Sequence, residues 1–380
     1  MREILVNSEK EIARINCLLD KKIPSYRQAY SDRTAWLMAC LSELAYIRFD
    51  SMFSDKEFKK YFSDKVSKLV DEGRMKSVVE FIDSVGYDSE REVKHLEEEL
   101  AVLRLGCVYK FDNKGTQAIL VWSDKFIALA FRGTEFDRIR DRKTVFNAKL
   151  AGCHETEGRV HSGFQEAFGR VIEEIREKLK EEGFRELPLF ITGHSLGGAL
   201  ATIAAKRLSS HEGGVAACYT FGSPRVGDKK WISEIKTPIY RLVNAADFAP
   251  MLPPGPLPVT AIGFLAAGIL PWVGKPLKSY LLSHFGDYFH AGDMRYLTNC
   301  PREQYENVKL LYSISNPYRL KGLFYEKALP WKKIPRDHAI NVYRRKLEVI
   351  ACNRNKTTQI STDCCPSEEN SHAKLEIKSS

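Results

Sequence analysis

One short stretch constrains this chain more than any other. Residues 189–201 read Leu-Phe-Ile-Thr-Gly-His-Ser-Leu-Gly-Gly-Ala-Leu-Ala. A short apolar run leads into Gly193-His194-Ser195-Leu196-Gly197, and an Ala- and Leu-rich run leaves it. The first has the length and composition of a strand, the second those of a helix. A serine between two such elements sits on a tight strand-to-helix turn, where flanking glycines have no side chains to collide. N–H groups at the helix start then face it and can hold a developing oxyanion. The G-x-S-x-G pattern alone is a weak signal; the strand before it and the helix after it make Ser195 the candidate nucleophile.

The surroundings alternate in the same way. Cys107–Phe111, Ala118–Trp122 and Phe126–Phe131 are short, apolar and bounded by polar residues, which predicts three strands. An amphipathic helix follows within Gly169–Phe184, then strands at Leu189–Ile191, Ala216–Phe221 and Ile239–Val243, with a helix from Leu196 to about Ser210. Alternation of this kind predicts an α/β sheet flanked by helices. Residues 1–104 read as a helical N-terminal extension that buttresses the α/β region, for example through Leu37, Cys40, Leu41, Leu44 and Ala45 on one helical face. Residues 105–350 read as the α/β domain, and 351–380 as a polar, disordered tail.

A nucleophilic serine needs a base, and the base needs an orienting carboxylate. In this architecture they follow the serine in the order acid, then histidine. Asp247 lies just past the strand ending at Val243, at the strand end where such sheets place functional groups. Asp228 competes, but Pro224-Arg225-Val226-Gly227 before it suits a turn. Four histidines follow Asp247, namely His284, His290, His338 and His372, and the last stands in the tail. His338, on a loop opening a final helix, and His290, in a run that reads as an edge strand, both remain open, with loop placement favouring His338. His161 precedes the serine and reads as structural. Thr134, at the turn after Phe131-Arg132-Gly133, is a candidate second oxyanion donor.

At these residues the chain resembles the class 3 (fungal-type) lipases. The resemblance runs through Phe131–Thr134, Val160–Phe164, Thr192–Gly198, Thr220–Gly227, Arg241–Pro250, Asp337-His338 and Tyr343, in the family's order, across roughly residues 105–350. It implies an α/β-hydrolase-type fold with a central, mostly parallel sheet. It also implies a catalytic triad of Ser195, Asp247 and His338, with Thr134 and the Leu196 N–H as oxyanion hole. Substrates would be acyl esters, typically glycerolipids, and no cofactor or metal is implied. One departure stands out: the lid that follows the oxyanion residue in secreted members corresponds here to the heavily charged Glu135–Lys143.

Composition narrows the partners. The formal charge of +9 is spread along the chain among acidic residues, without a basic run interleaved with aromatics, which argues against nucleic acid. The nine cysteines form no CxxC and no metal-ligand spacing, so they read as reduced thiols. Met1–Lys10 lacks the apolar core of a secretory signal, and the expected address is the cytoplasm. Met251–Gly274 has no ionisable acid or base and is too interrupted by proline to span a bilayer. It reads as a core or pocket-wall helix, or as an interfacial flap touching the membrane periphery. A non-catalytic interaction module on the same fold, or a thioesterase or peptidase with the same triad, are the competing classes.

Overall fold

A computed structural model describes residues 4–6, 8–20, 29–48, 56–79, 89–133, 150–153, 157–253, 287–301, 304–321 and 335–363. The described residues open with α1 (Glu9–Leu19), α2 (Asp32–Leu44), α3 (Lys56–Asp71) and α4 (Ser89–Val102). The Ser8 and Ser31 side chains cap α1 and α2 by accepting from Glu11 and Thr34 N–H. Next come β1 (Gly106–Asn113), β2 (Thr116–Trp122), β3 (Ile127–Phe131), the short pair β4 (Leu150–Gly152) and β5 (Arg159–His161), and α5 (Ser162–Gly169). The chain continues through α6 (Ile172–Leu179), β6 (Leu189–His194), α7 (Leu196–Arg207), β7 (Val215–Phe221), α8 (Lys229–Ser233) and β8 (Ile239–Asn244). It closes with β9 (Asp293–Leu297), β10 (Leu310–Tyr312), α9 (Asn316–Lys321) and α10 (Ile340–Asp363).

The main sheet has the order β1-β2-β3-β6-β7-β8-β9-β10. Lys114 and Gly115 turn β1 into β2 with positive φ at both positions, the geometry that matches strand twist in a two-residue hairpin. β1, β2 and β3 are therefore antiparallel neighbours. From β3 to β9 every pairing is parallel, and β10 returns antiparallel. β6 and β7 are buried along their whole length, as befits parallel strands covered on both faces. This is the central mixed, mostly parallel sheet of an α/β-hydrolase-type fold. The run around His290, expected as an edge strand, is not one. Phe289 makes only an isolated bridge to Gly227, and the β9 ladder begins at Asp293, with β10 outside it at the sheet edge.

Two apolar layers cover the sheet. One is built by α5, α6 and α7 through Phe164, Phe168, Ile172, Ile175, Leu200 and Ile203. The other is built by α1, α2, α4 and α10 through Leu18, Trp36, Leu41, Leu100 and Leu347. The N-terminal helices are thus half of the sheet's cover as well as a buttress, and the core runs without a break across the boundary expected near residue 105. Trp36, Leu37, Met38 and Leu41 are essentially inaccessible, each worth about 1.5–3 kcal/mol relative to exposure. A polar tie adds register: Thr192 Oγ1 in β6 lies 2.8 Å from Ser42 Oγ and donates to Met38 O at 3.2 Å.

The C-terminal segment corrects another expectation. α10 continues to Asp363, well past the point at 351 where the polar composition predicts disorder. Its first half packs on α2, burying Tyr343, Leu347 and Ala351. No glycine or proline follows until Pro366, so nothing in the covalent chain stops the helix.

Candidate active site

β6 delivers His194 to the carboxyl edge of the sheet, and α7 begins two residues later. Ser195 makes the turn between them with φ 57° and ψ −126°, a conformation a side-chain-bearing residue adopts only under constraint. The constraint is steric and local. A Cβ on Gly197 would stand 2.3 Å from Phe131 O, and one on Gly193 would stand 2.2 Å from Gly197 O. The flanking glycines thus let the elbow close against the end of β3. Ser195 N–H donates to Phe221 O, which fixes the turn to the next strand.

β8 delivers the second group. Asp247 follows Asn244 and Ala245, the latter at φ 42°. His338 arrives from the helical turn 335–338 just before α10. Ser195 Oγ lies 2.9 Å from His338 Nε2, and His338 Nδ1 lies 2.9 Å from Asp247 Oδ1. All three residues are at most 3% exposed. A carboxylate can only accept, so Nδ1 carries the proton and Nε2 is left to accept from the serine hydroxyl. The arrangement can move a proton from Ser195 to His338 while Asp247 holds the ring in the required tautomer.

Asp247 is fully engaged. Its Oδ1 also accepts from Ala249 N–H at 2.9 Å, and its Oδ2 accepts from Tyr343 Oη at 2.5 Å. Burial first, and then the Asp247 charge, push the Tyr343 hydroxyl well above its ordinary range, so it remains a donor. Asn244 N–H in turn donates to Tyr343 Oη at 3.0 Å. The acid and base loops are tied directly as well: Ala246 N–H donates to Asp337 Oδ2 at 3.1 Å, and Asn244 Nδ2 donates to Asp337 O at 2.8 Å.

The structure brings Ser195, Asp247 and His338 together and leaves the other candidates elsewhere. His290 Nε2 donates to Pro250 O at 2.6 Å and has no bond to the serine. Asp228 caps α8 by accepting from Trp231 N–H, the turn role expected of it. His161 caps α5 through Nδ1 and stacks on Phe164, and burial lowers its pKa to about 4. The Leu196 N–H opens α7, where no intrahelical acceptor exists. Thr134, the charged stretch 135–143, the segment from 254 to 274, His284 and His372 lie outside the described residues. Among the described residues no group of histidine, cysteine and carboxylate side chains is placed to hold a metal ion.

Two contributors lie in motifs quoted from the sequence but were given no role there. His194 is fully enclosed; burial and then the neighbouring His338 push its pKa well below the usual value, so it is neutral. Its Nε2 lies 2.6 Å from His338 O and its Nδ1 2.8 Å from Tyr46 Oη. Tyr46 stands just past α2, so the helical N-terminal segment reaches the site. A Cβ on Gly133 would meet Tyr46 Oη at 2.2 Å and His194 O at 2.4 Å, which puts the backbone entering Thr134 against the same pair. Gly222 is the other. It has φ 57°, and a Cβ there would meet Asp247 Oδ2 at 2.5 Å and His338 Nδ1 at 3.1 Å.

Parts of the chain are similar to known proteins. The family model described as Lipase (class 3) matches residues 128–256. A lipase of Rhizomucor miehei is 34% identical over 161 residues, 40% of this chain and 42% of that protein. Secreted mono- and diacylglycerol lipase 1 of Fusarium solani is 36% identical over 137 residues, 34% of this chain and 40% of that protein. The chain thus spans less than half the length of these relatives. Among solved structures, a lipase of Rhizopus microsporus var. chinensis is 16% identical with a TM-score of 0.46, covering 89% of this chain and 88% of that one. The Rhizomucor miehei triacylglyceride lipase is 21% identical with a TM-score of 0.46, covering 66% and 85%.

Proposed function

We propose that this protein, whose residues 128–256 match the family model described as Lipase (class 3), is a serine carboxylester hydrolase acting on acyl esters, with glycerolipids as the substrate class. The observation that carries the reading is the buried Ser195–His338–Asp247 chain, with Ser195 held at positive φ on its elbow. In this reading Ser195 Oγ attacks the ester carbonyl carbon as His338 Nε2 takes its proton. The Leu196 N–H and Thr134 hold the oxyanion. The tetrahedral adduct collapses by breaking the bond to the alcohol oxygen, which leaves with the proton from His338. Water then repeats the sequence, with His338 as base, to release the fatty acid and restore Ser195.

The Fusarium solani relative is named a mono- and diacylglycerol lipase, which makes glycerolipid esters the first substrates to assay. The same reading sets the protein in a reducing compartment, which the free thiols of its seven described cysteines support. No described helix is long and apolar enough to cross a membrane. Contact with lipid through 251–274 remains part of the proposal: Asp replacing Phe264 and Leu265 should weaken liposome binding and spare a soluble short-chain ester.

The test is fluorophosphonate labelling followed by hydrolysis of a chain-length panel of glycerol esters, p-nitrophenyl esters, thioesters and peptides. Wild type should label and cleave the glycerol esters. Ser195→Ala and His338→Ala should lose both, and His290→Ala should keep much of both. Failure of folded wild type to label would favour a non-catalytic module, and preference for thioesters or peptides would replace the ester assignment.

A further inference from the structure

Behind Asp247, three basic side chains donate to one turn, and a fourth, Arg241, is close enough to feel the charges of two of them. Arg225 Nη1 donates to Met251 O at 2.5 Å and to Pro253 O at 2.6 Å. His290 Nε2 donates to Pro250 O at 2.6 Å, and Arg319 Nη2 donates to Asp247 O at 2.9 Å. Arg241 lies on β8, the strand that leads into this turn. In the β7–β8 register it stands opposite Thr220, and residues paired this way point to the same face of the sheet.

The donors in this cluster outnumber their acceptors. Arg241 Nε, Arg319 Nε and Thr220 Oγ1 are each enclosed by protein without a hydrogen-bond partner. Arg319 is only 5% exposed and Thr220 is inaccessible, while Arg225, Arg241 and His290 keep part of their surface open. Among the described residues none of the three arginines forms an ion pair. The two carboxylates that act on the cluster are occupied: Asp247 by His338, Ala249 and Tyr343, and the mostly exposed Asp293 beside Arg295. The guanidinium groups feel one another. Burial and then the charges of Arg319 and Arg225 push Arg241 down to about 9, and Arg225 falls to about 10 through burial and Arg319. Burial and then the three arginine charges also hold His290 neutral.

Enclosed guanidinium groups without a counter-charge are a costly arrangement that folded proteins rarely leave unsatisfied. The geometry points to an oxyanion site: we propose that Arg241, Arg319, Arg225 and the Thr220 hydroxyl bind a phosphate group, free or as the headgroup of a lipid. A phosphate offers several acceptor oxygens and up to two negative charges, matching forked guanidinium donors and a hydroxyl better than a single carboxylate does. The site stands independently of the ester-hydrolase reading, because it requires no reaction.

The experiment follows thermal unfolding of the full chain in a phosphate-free buffer at constant ionic strength. Inorganic phosphate, dihexanoyl phosphatidic acid and dihexanoyl phosphatidylcholine are titrated below their micellar concentrations. Wild type should show a saturable rise in Tm with phosphate. Arg241→Met removes a guanidinium that makes no protein hydrogen bond, so in phosphate-free buffer it should be at least as stable as wild type. Its affinity for phosphate should fall tenfold or more, and that of Thr220→Val several-fold. Tighter binding of phosphatidic acid than of phosphate identifies a lipid headgroup site, and equal or weaker binding identifies a free-anion site. The proposal is overturned if phosphate titrated directly into wild type by calorimetry shows no binding. It is equally overturned if Arg241→Met keeps wild-type affinity, or if that variant is destabilised or unfolds in phosphate-free buffer, which would make Arg241 a structural tie.

Discussion

The Tyr46 hydroxyl donates to His194 Nδ1 across 2.8 Å, and His194 Nε2 lies 2.6 Å from His338 O, so the pair of bonds links the N-terminal helical layer to the candidate base His338. The direction follows from His194 being neutral. A carbonyl only accepts, so the Nε2 facing His338 O carries the ring proton and Nδ1 is a bare acceptor. Tyr46→Phe leaves that nitrogen without a donor, a loss of about 1–3 kcal/mol in a buried setting. The variant should fold, keep KM and lose about tenfold or more in kcat, since roughly 1.4 kcal/mol of misplacement is a factor of ten. In a His194→Gln background Tyr46→Phe should add little. A full additional loss there would show that Tyr46 acts by another route.

Gly222 gives the sharpest steric prediction. Gly222→Ala places a methyl 2.5 Å from Asp247 Oδ2 in a backbone region that disfavours side chains. Either Asp247 or the His338 ring must move, which breaks the relay. Circular dichroism should remain native while fluorophosphonate labelling of Ser195 falls at least a hundredfold. Labelling at the wild-type rate would mean the turn relaxes without disturbing the pair.

The helical cover can be tested through stability. Leu41 is fully buried between α2 and the sheet, so Leu41→Ala should destabilise the whole domain by about 2–5 kcal/mol. Urea unfolding followed by tryptophan fluorescence and by loss of hydrolysis should show one coincident transition. Separate transitions would make the N-terminal helices an independent unit.

Three buried histidines should cost stability in mild acid. His161, His194 and His290 have folded pKa values lowered by burial, to about 4 for His161. Unfolded histidine titrates near about 6.5, so below that pH the unfolded chain binds the extra protons. Their contribution is complete above pH 6.5 and drains away as pH falls toward each folded value. The slope of unfolding free energy against pH near 5.5 should decrease by about one proton in His161→Gln. An unchanged slope would mean that His161 already titrates in the folded state.

The sequence by itself determined local structure. The G-x-S-x-G elbow, the strands at 107–131 and 189–243, the helix carrying Leu37 to Leu44 and the helix from Leu196 stem from periodicity, glycine and short-range polarity, and they form essentially where expected. The candidates Ser195, Asp247 and His338 were legible because each stands at the end of an element. Loop placement favoured His338 over His290 in the sequence, and the resemblance strengthened that choice; in the structure it is His338 that lies 2.9 Å from Ser195 Oγ. Tertiary structure alone decided the rest. Tyr46 meets His194 across 148 positions, and Tyr343 meets Asp247 across 96. Such pairings depend on which helix lies on which face of the sheet, and no window of sequence encodes that. The arginines clustered behind Asp247 come from β8, the 224–228 turn and α9, and each looks alone like a solvated surface cation. Helix α10 outruns its polar composition for the same reason: packing of Tyr343, Leu347 and Ala351 against α2 stabilises a helix whose later residues have little apolar surface to bury.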